Sequence, residues 1–234
     1  GYVGKPNGTP VNWPDNGLSG PHTIGWDAYA TIQVGVTAVD IGGTVSVAAG
    51  SYAEDVTIGK AVTVQGGGAG SSIVIGPIGG SGSTFALAAS SIVLDGFTIT
   101  RAGNNTTDWN DPNLNIPGVS IQGTSITGCT IRNCLITGNR TGIDINNSSG
   151  HTIRNNIITD NRTGMIFRNV TDNLTVIQNK ITANWTVGIV FLDASGGSNV
   201  PLQTANNCTF SNNDISGNWY GQVVDRQTGG SLPA

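Results

Sequence analysis

One feature constrains this chain more than any other: residues 118–221 repeat on a period of 22 to 24 residues. Thr141 to Arg162 reads TGIDINNSSGHTIRNNIITDNR, and Thr163 to Trp185 reads TGMIFRNVTDNLTVIQNKITANW. The stretch before them ends ITGNR at Arg140, and the one after them ends ISGNW at Trp219. Gly118, Gly142, Gly164, Gly188 and Gly221 mark the unit starts, at spacings of 24, 22, 24 and 33. Such a unit is too short for two helices and a turn. It fits three short strands and three turns, with one insertion where the spacing reaches 33.

Apolar residues alternate within each unit. Ile143/Ile145, Met165/Phe167 and Ile189/Phe191 should point inward, because successive strand side chains face opposite sides. Ile136, Ile158, Ile181 and Ile215 form a second inward column. Stacked strands sit about 4.8 Å apart, so equivalent residues form ladders along an axis. Asn139, Asn161, Asn184 and Asn218 occupy one such ladder. Asn suits turns and stacks by amide hydrogen bonds, so the ladder reads first as scaffold. The composition agrees: 35 Gly and only 10% charged residues suit strands and turns. The regular Ile and Val spacing excludes a disordered chain.

The N-terminal third differs in texture. Residues 1–26 read as an extension, and 27–234 as one solenoid domain. Asp27 is placed to cap a short helix from Ala28 to Val39, with Ile32, Val36 and Val39 on one face. Strands are expected near Thr44–Val47, Asp55–Ile58, Ala61–Val64 and Ser72–Ile75, separated by Gly-rich turns. LDGFTIT at 94–100 matches IRNCLIT at 131–137, so the coils have begun by there. A helix ahead of the first coil would cover the open end of the core. The fold expected is therefore all-β, a parallel β-helix solenoid with a short N-terminal capping helix.

Residues 30–68, together with LDGFTIT and the NxxGI units, resemble the pectin-lyase-like superfamily of right-handed parallel β-helices. They are most similar to the parallel β-helix repeat domains of bacterial surface and periplasmic proteins. The resemblance covers about 27–221 and implies the fold. The superfamily includes lyases, hydrolases, esterases, epimerases and non-catalytic adhesin segments, so function must come from the site. The NTD, DD, GHG and RIK set of polygalacturonases does not occur as a set, and neither do the GFQD-type and LGRPW-type segments of pectin methylesterases. His151 sits in SGHT.

A net charge of −4 without a basic stripe argues against nucleic acid. No apolar run is long enough to span a membrane. Three cysteines, Cys129, Cys134 and Cys208, make a poor disulfide framework and no zinc pattern, and read as buried thiols. Asn-x-Ser/Thr sequons recur, for example at Asn7, Asn105 and Asn173, but those on the Asn ladder should be inaccessible. The chain starts at Gly1 without a signal peptide, and Gln222 to Ala234 looks like the start of another coil. Both features suggest an excised part of a longer protein.

The resemblance implies that ligands lie across the outward face of the strands opening each coil. Outward residues there are Ser120/Gln122, Asp144/Asn146, Ile166/Arg168, Val190/Leu192 and Asp225. Insertions at Gly103–Pro117 and Ala194–Asn206 are long enough to wall a groove over this face. Asp144 and Arg168 are the catalytic candidates. A lyase needs a cation to neutralise a sugar carboxylate and a base for the α-proton. A hydrolase needs two carboxylates, which Asp144 with Asp193 or Asp225 offers. The outward Ile166, Val190 and Leu192 look instead like a covered surface.

Arg140, Arg162, Trp185 and Trp219 follow the Asn ladder and should stack along one edge, with Arg162 over Trp185 as a cation–π pair. Trp platforms suit sugar rings and Arg suits carboxylates or sulfates, so these four and Trp109 are the glycan-binding candidates; a self-stacked stiffening corner is the alternative. Asp108, Asp111, Asp193 and Asp225 are candidate ligands for Ca2+, although no contiguous Asp-rich motif is present. No other cofactor is indicated.

Three functions are compatible with these residues. The leading one is a non-catalytic module of a secreted, periplasmic or cell-surface protein, structural and polysaccharide-binding, packed against other domains. The others are a lyase, hydrolase or epimerase acting on an acidic glycan, and a subunit that self-associates end to end.

Overall fold

The computed structural model describes residues 6–12, 21–78, 82–103, 116–194 and 205–226. Strands β1 (Pro10–Asn12) and β2 (Pro21–Thr23) pair antiparallel ahead of a single helix, α1 (Ile32–Ala38). Everything after α1 is solenoid. A first sheet stacks β3 (Thr44–Val47), β6 (Thr63–Gly66), β9 (Val93–Asp95), β12 (Thr130–Arg132), β15 (Thr152–Arg154), β18 (Thr175–Ile177) and β21 (Thr209–Ser211). A second stacks β4 (Gly50–Tyr52), β7 (Ser72–Gly76), β10 (Thr98–Arg101), β13 (Leu135–Thr137), β16 (Ile157–Thr159), β19 (Lys180–Thr182) and β22 (Asp214–Ser216). The third holds β5 (Val56–Ile58), β8 (Phe85–Leu87), β11 (Pro117–Gln122), β14 (Thr141–Asn146), β17 (Thr163–Arg168), β20 (Val187–Leu192) and β23 (Gly221–Arg226).

Each coil contributes one strand to each seven-stranded sheet, giving seven coils, and every pairing between coils is parallel. The coils start at Thr44, well before the repeat becomes visible in sequence. Residues 221–226 do not open another coil: β23 is the third strand of the seventh.

The expected inward columns are the core. Ile143, Ile145, Met165, Phe167 and Ile189 are fully buried, as are Ile136, Ile158 and Ile181. Phe167, Phe191 and Phe210 pack with centroids 5.3 to 6.2 Å apart toward the last coil. Cys129 and Cys134 are buried free thiols, and burial pushes Cys134 up to about 12, whereas Cys208 is only half-buried.

The corners are held by buried amides. Asn161 Oδ1 accepts from the backbone and side-chain N–H groups of Asn139, both at 3.0 Å. Asn161 Nδ2 in turn donates to Ile136 O at 2.9 Å and to Asn184 Oδ1 at 3.2 Å. Asn184 bonds Asn218 in the same way, and Gln222 Oε1 ends the column by accepting from Asn218 Nδ2 at 2.9 Å. The left-handed residue is the one before each rung, Gly138, Asp160, Ala183 and Gly217, rather than the ladder Asn itself. A second ladder, Asn156, Asn179 and Asn213, holds the preceding corner, preceded by left-handed Asn155, Gln178 and Asn212.

Where α1 begins, the structure corrects the sequence reading. Its cap is Thr31, whose Oγ1 accepts from Val34 N at 3.3 Å. Asp27 is engaged elsewhere, accepting from Thr23 N at 2.6 Å and pairing with His22 at 3.0 Å. These two partners hold its carboxyl below the usual range. The Glu54 carboxylate closes the helix start by accepting from Ile32 N and Gln33 N at 2.9 and 3.0 Å. Lys60 Nζ closes the other end on Thr37 O and Val39 O. The Gln33 amide then pairs with both N and O of Thr57, as a further strand would, on the free edge of β5.

His151 belongs to the scaffold as well. Its Nδ1 accepts from Cys129 N at 3.2 Å, so Nε2 carries the proton and donates to Ser148 Oγ at 2.8 Å. Ser148 donates onward to Ile126 O at 2.7 Å. The imidazole thus gives a proton to the serine and cannot act as its base. Burial depresses His151 to about 4, against 6.5 ordinarily.

Two outcomes follow from the scaffold. Asn161→Ala orphans buried donors and acceptors on both sides, and should cost about 3 kcal/mol in denaturant unfolding. An unchanged midpoint would show that the ladder is not a source of stability. Between pH 6.5 and 4 the unfolded chain binds a proton at His151 that the folded one refuses. Stability should therefore fall as pH drops through that window, by up to about 3 kcal/mol. His151→Gln should remove this part of the pH slope. Raised Asp55 and Asp144 act in the opposite sense in both proteins, so the comparison isolates the imidazole.

Candidate functional site

The third sheet is the broad one. β11, β14, β17 and β20 run six residues each, against three for their counterparts in the other sheets in coils four to six. Register places Ser120, Asp144, Ile166, Val190 and Val224 in one outward column, and Gln122, Asn146, Arg168 and Leu192 in the next.

Asp144 and Arg168 meet on this face. Asp144 lies opposite Ile166, and Arg168 reaches back across that residue to place Nη2 2.9 Å from Asp144 Oδ2. Although it points outward, Asp144 is only 2% exposed. Its Oδ1 and the Arg168 Nε are buried without hydrogen-bond partners. Burial raises the Asp144 pKa, and the guanidinium opposes that rise. The pair is thus a carboxyl group with one oxygen committed and one open. Ile166, Val190 and Leu192 are half-buried beside it.

The corner leading into this sheet carries the Arg and Trp residues in one column. Arg162 N donates to Asn139 O, Trp185 N to Asn161 O and Trp219 N to Asn184 O, which fixes the stacking. Arg140 is pushed down by burial and by the positive charges of Arg162 and Arg168, so three guanidinium groups share this region. Trp185 and Trp219 stand with centroids 6.3 Å apart and planes 35° from parallel, and Tyr220 continues the row 6.2 Å from Trp219. Trp219 and Tyr220 are 68% and 71% exposed. The ring that Trp185 meets is therefore Trp219. Beside the two indoles lies an open depression of about 430 Å³. The small Ala183 and Gly217 line it, as does the exposed carboxylate of Asp160.

A change in corner length accompanies the change from Arg to Trp. In coil five, four positions separate Asn161 from inward Met165; in coils six and seven, five separate Asn184 from Ile189 and Asn218 from Val223. The extra residue in coil six, Thr186, is tied to Thr163 by a 2.9 Å hydroxyl contact. The insertion also corrects the register of the last unit: the partner of Gly188 is Gln222, and Gly221 lies beside Val187. Glycine is required in the middle of this column. A Cβ on Gly164 would lie 2.4 Å from Gly188 O, and one on Gly188 2.6 Å from Gln222 O.

The other candidates are placed as follows. Trp109, Asp108 and Asp111 lie outside the described residues. Asp193 is buried just past β20. Asp225 does not face outward: it aligns with Phe191 in the inward column and is exposed in the final coil. Among the described residues, no three His, Cys, Asp or Glu side chains converge as metal ligands. Sequence reading missed Asp160 and Tyr220, although the longer spacing after Asn184 and Asn218 was a signal that the corner had changed. A further cavity of about 260 Å³ between α1 and β3 is mainly apolar, with Ile32, Val45 and Val47 in its lining. It lies at the opposite end of the solenoid from the Trp corner.

Comparison with known proteins bears on the fold. Solved structures with the same architecture include ORF18 of Geobacillus virus E2, with 18% identity and TM-score 0.58 over 77% of this chain and 38% of that one. Pectate lyase Pel9A gives 16% identity and TM-score 0.56 over 86% of this chain and 56% of its own. This chain thus spans well under two thirds of either protein. No curated protein sequence matches it. Residues 90–231 match the family described as the right handed beta helix region. The chain belongs to that family, and its three parallel seven-stranded sheets make it a right-handed parallel β-helix of the pectin-lyase-like superfamily.

Proposed function

We propose that this chain is the polysaccharide-binding β-helix of an extracellular or cell-surface protein. The observation that carries this reading is the Trp185–Trp219–Tyr220 row, exposed beside a carboxylate-edged depression at the margin of the broad sheet. Buried aromatics contribute to a core, whereas exposed ones in a row cost solubility unless they meet a ligand. Sugar rings present apolar C–H faces to indoles and hydroxyls to a carboxylate, which matches this set. Among proteins of the same fold, one is named a pectate lyase.

Retention on immobilised polysaccharides, followed by titration with oligosaccharides, tests the reading. Trp185→Ala and Trp219→Ala should each weaken binding about tenfold, with unfolding midpoints unchanged. Equal affinity in both variants would sink it.

A second reading, catalysis on an acidic glycan, is favoured by the uncommitted Oδ1 of buried Asp144 beside Arg168. A buried carboxyl of raised pKa is suited to hold or accept a proton at that oxygen, and Arg168 to neutralise a neighbouring carboxylate. Mass spectrometry of polysaccharide digests decides between the two. Shortened, unsaturated or epimerised products that vanish in Asp144→Asn would establish an enzyme. Their absence across uronate polymers, with binding intact, would leave the module.

A further inference from the structure

Resting on the polysaccharide-binding reading, we infer that the ligand is an acidic heteropolysaccharide lying along the solenoid axis. In this arrangement an anion-bearing residue sits at Arg140 and Arg162, and neutral sugar rings lie on Trp185 and Trp219. The corner column is two surfaces in series. Coils four and five present guanidinium groups, and coils six and seven present indoles and a phenol. Successive coils rise about 4.8 Å, close to the length of one pyranose unit in a linear chain. Successive rungs therefore meet successive sugars.

Three observations separate the halves chemically. The cations are in excess: of Arg140, Arg162 and Arg168, only Arg168 is neutralised by a described ion pair, with buried Asp144. This cluster stands in a chain whose net charge is −4, so it is a local feature rather than a general basicity. Like charges held together are stabilised by an anion bridging them, and guanidinium forks match carboxylate or sulfate. The aromatic half is also set apart by construction. The corner gains one residue where Arg gives way to Trp, and the small left-handed residues Ala183 and Gly217 open the depression beside the rings. The carboxylate at that depression is Asp160, which disfavours a second anion there and accepts from sugar hydroxyls. A uniform uronate polymer would set a carboxylate against Asp160 and the indoles. A neutral polymer would leave the arginines unmatched.

The test measures binding of the whole chain to three soluble probes at low and high salt. These are gellan, in which one glucuronate alternates with three neutral sugars; polygalacturonate; and a neutral β-glucan. The expected result is that gellan binds at least tenfold more tightly than either homopolymer. Arg140→Gln with Arg162→Gln should abolish the salt dependence and reduce gellan to the level of the neutral glucan. Arg140→Lys with Arg162→Lys should restore part of the salt slope. Trp185→Ala should weaken gellan and β-glucan alike without changing that slope. A sulfated neutral glucan binding as tightly as gellan, with the same response to the Arg variants, would identify the anion as sulfate-tolerant and agrees with the inference. Equal binding of polygalacturonate and gellan, or loss of salt dependence in the Trp variant, would overturn it while leaving polysaccharide binding intact. Failure of every polymer to bind would overturn the polysaccharide-binding reading itself.

Discussion

The structure depends on keeping register between coils, and the buried amide columns set that register. A parallel β-helix has no long-range feature that forbids a coil from slipping along its neighbour, because Ile, Val and Thr repeat at similar places. An Asn at a corner is different. Asn161 accepts from two N–H groups of the coil below and donates to a main-chain carbonyl of that coil and to the Asn above, so a slip orphans buried groups on both sides. Two such columns bracket the second sheet. Gln222 then supplies from within the last coil the acceptor that an eighth Asn rung would have supplied.

Fixed corners allow the surface between them to vary. One extra residue can enter the corner of coil six without disturbing the core, because Asn184 and Ile189 on either side remain in register with Asn161 and Met165. The displaced segment projects outward, and that is where the indoles are. The same logic applies to Asp144. A carboxylate on an outward strand position is tolerated in burial because Arg168, two residues along the next strand, reaches back to it. The site is therefore made from positions whose side chains the core does not specify.

This division explains what could be read from sequence. The inward columns were legible because period-two alternation repeated over four coils, and the first Asn ladder because every rung is Asn. The second ladder was hidden: its first position is Cys134, and its Asn residues sit among other Asn residues with left-handed backbones, such as Asn155 and Asn212. The coils from Thr44 to Arg101 were read as separate strands, because irregular connections between β6 and β7 and between β7 and β8 break the period. Asp27 looked like a helix cap because it precedes an apolar run, yet His22 and Thr23, distant in pattern but adjacent in space, claim its carboxylate. Asp225 was assigned to the wrong face because Gly221 was taken as the counterpart of Gly188. Strand alternation turns a one-residue register error into a change of face.

The two ends of the solenoid are not equivalent, and this bears on assembly. At the N-terminal end, α1 is clamped by Glu54 and Lys60 and presents the Gln33 amide to Thr57, so the edge of β5 is already paired. At the other end β21, β22 and β23 each have a strand partner on one side only, and Phe210 and Val223 are 38% and 53% exposed. A head-to-tail stack of copies would have to displace α1 and break those contacts. Any continuation of the sheets among the described elements is therefore easiest beyond the seventh coil. The aromatic row sits in coils six and seven, next to that open end. A partner or domain docking there would extend the surface on which the glycan is proposed to lie, while the charged half of the corner stays anchored three coils deep in the closed part of the solenoid.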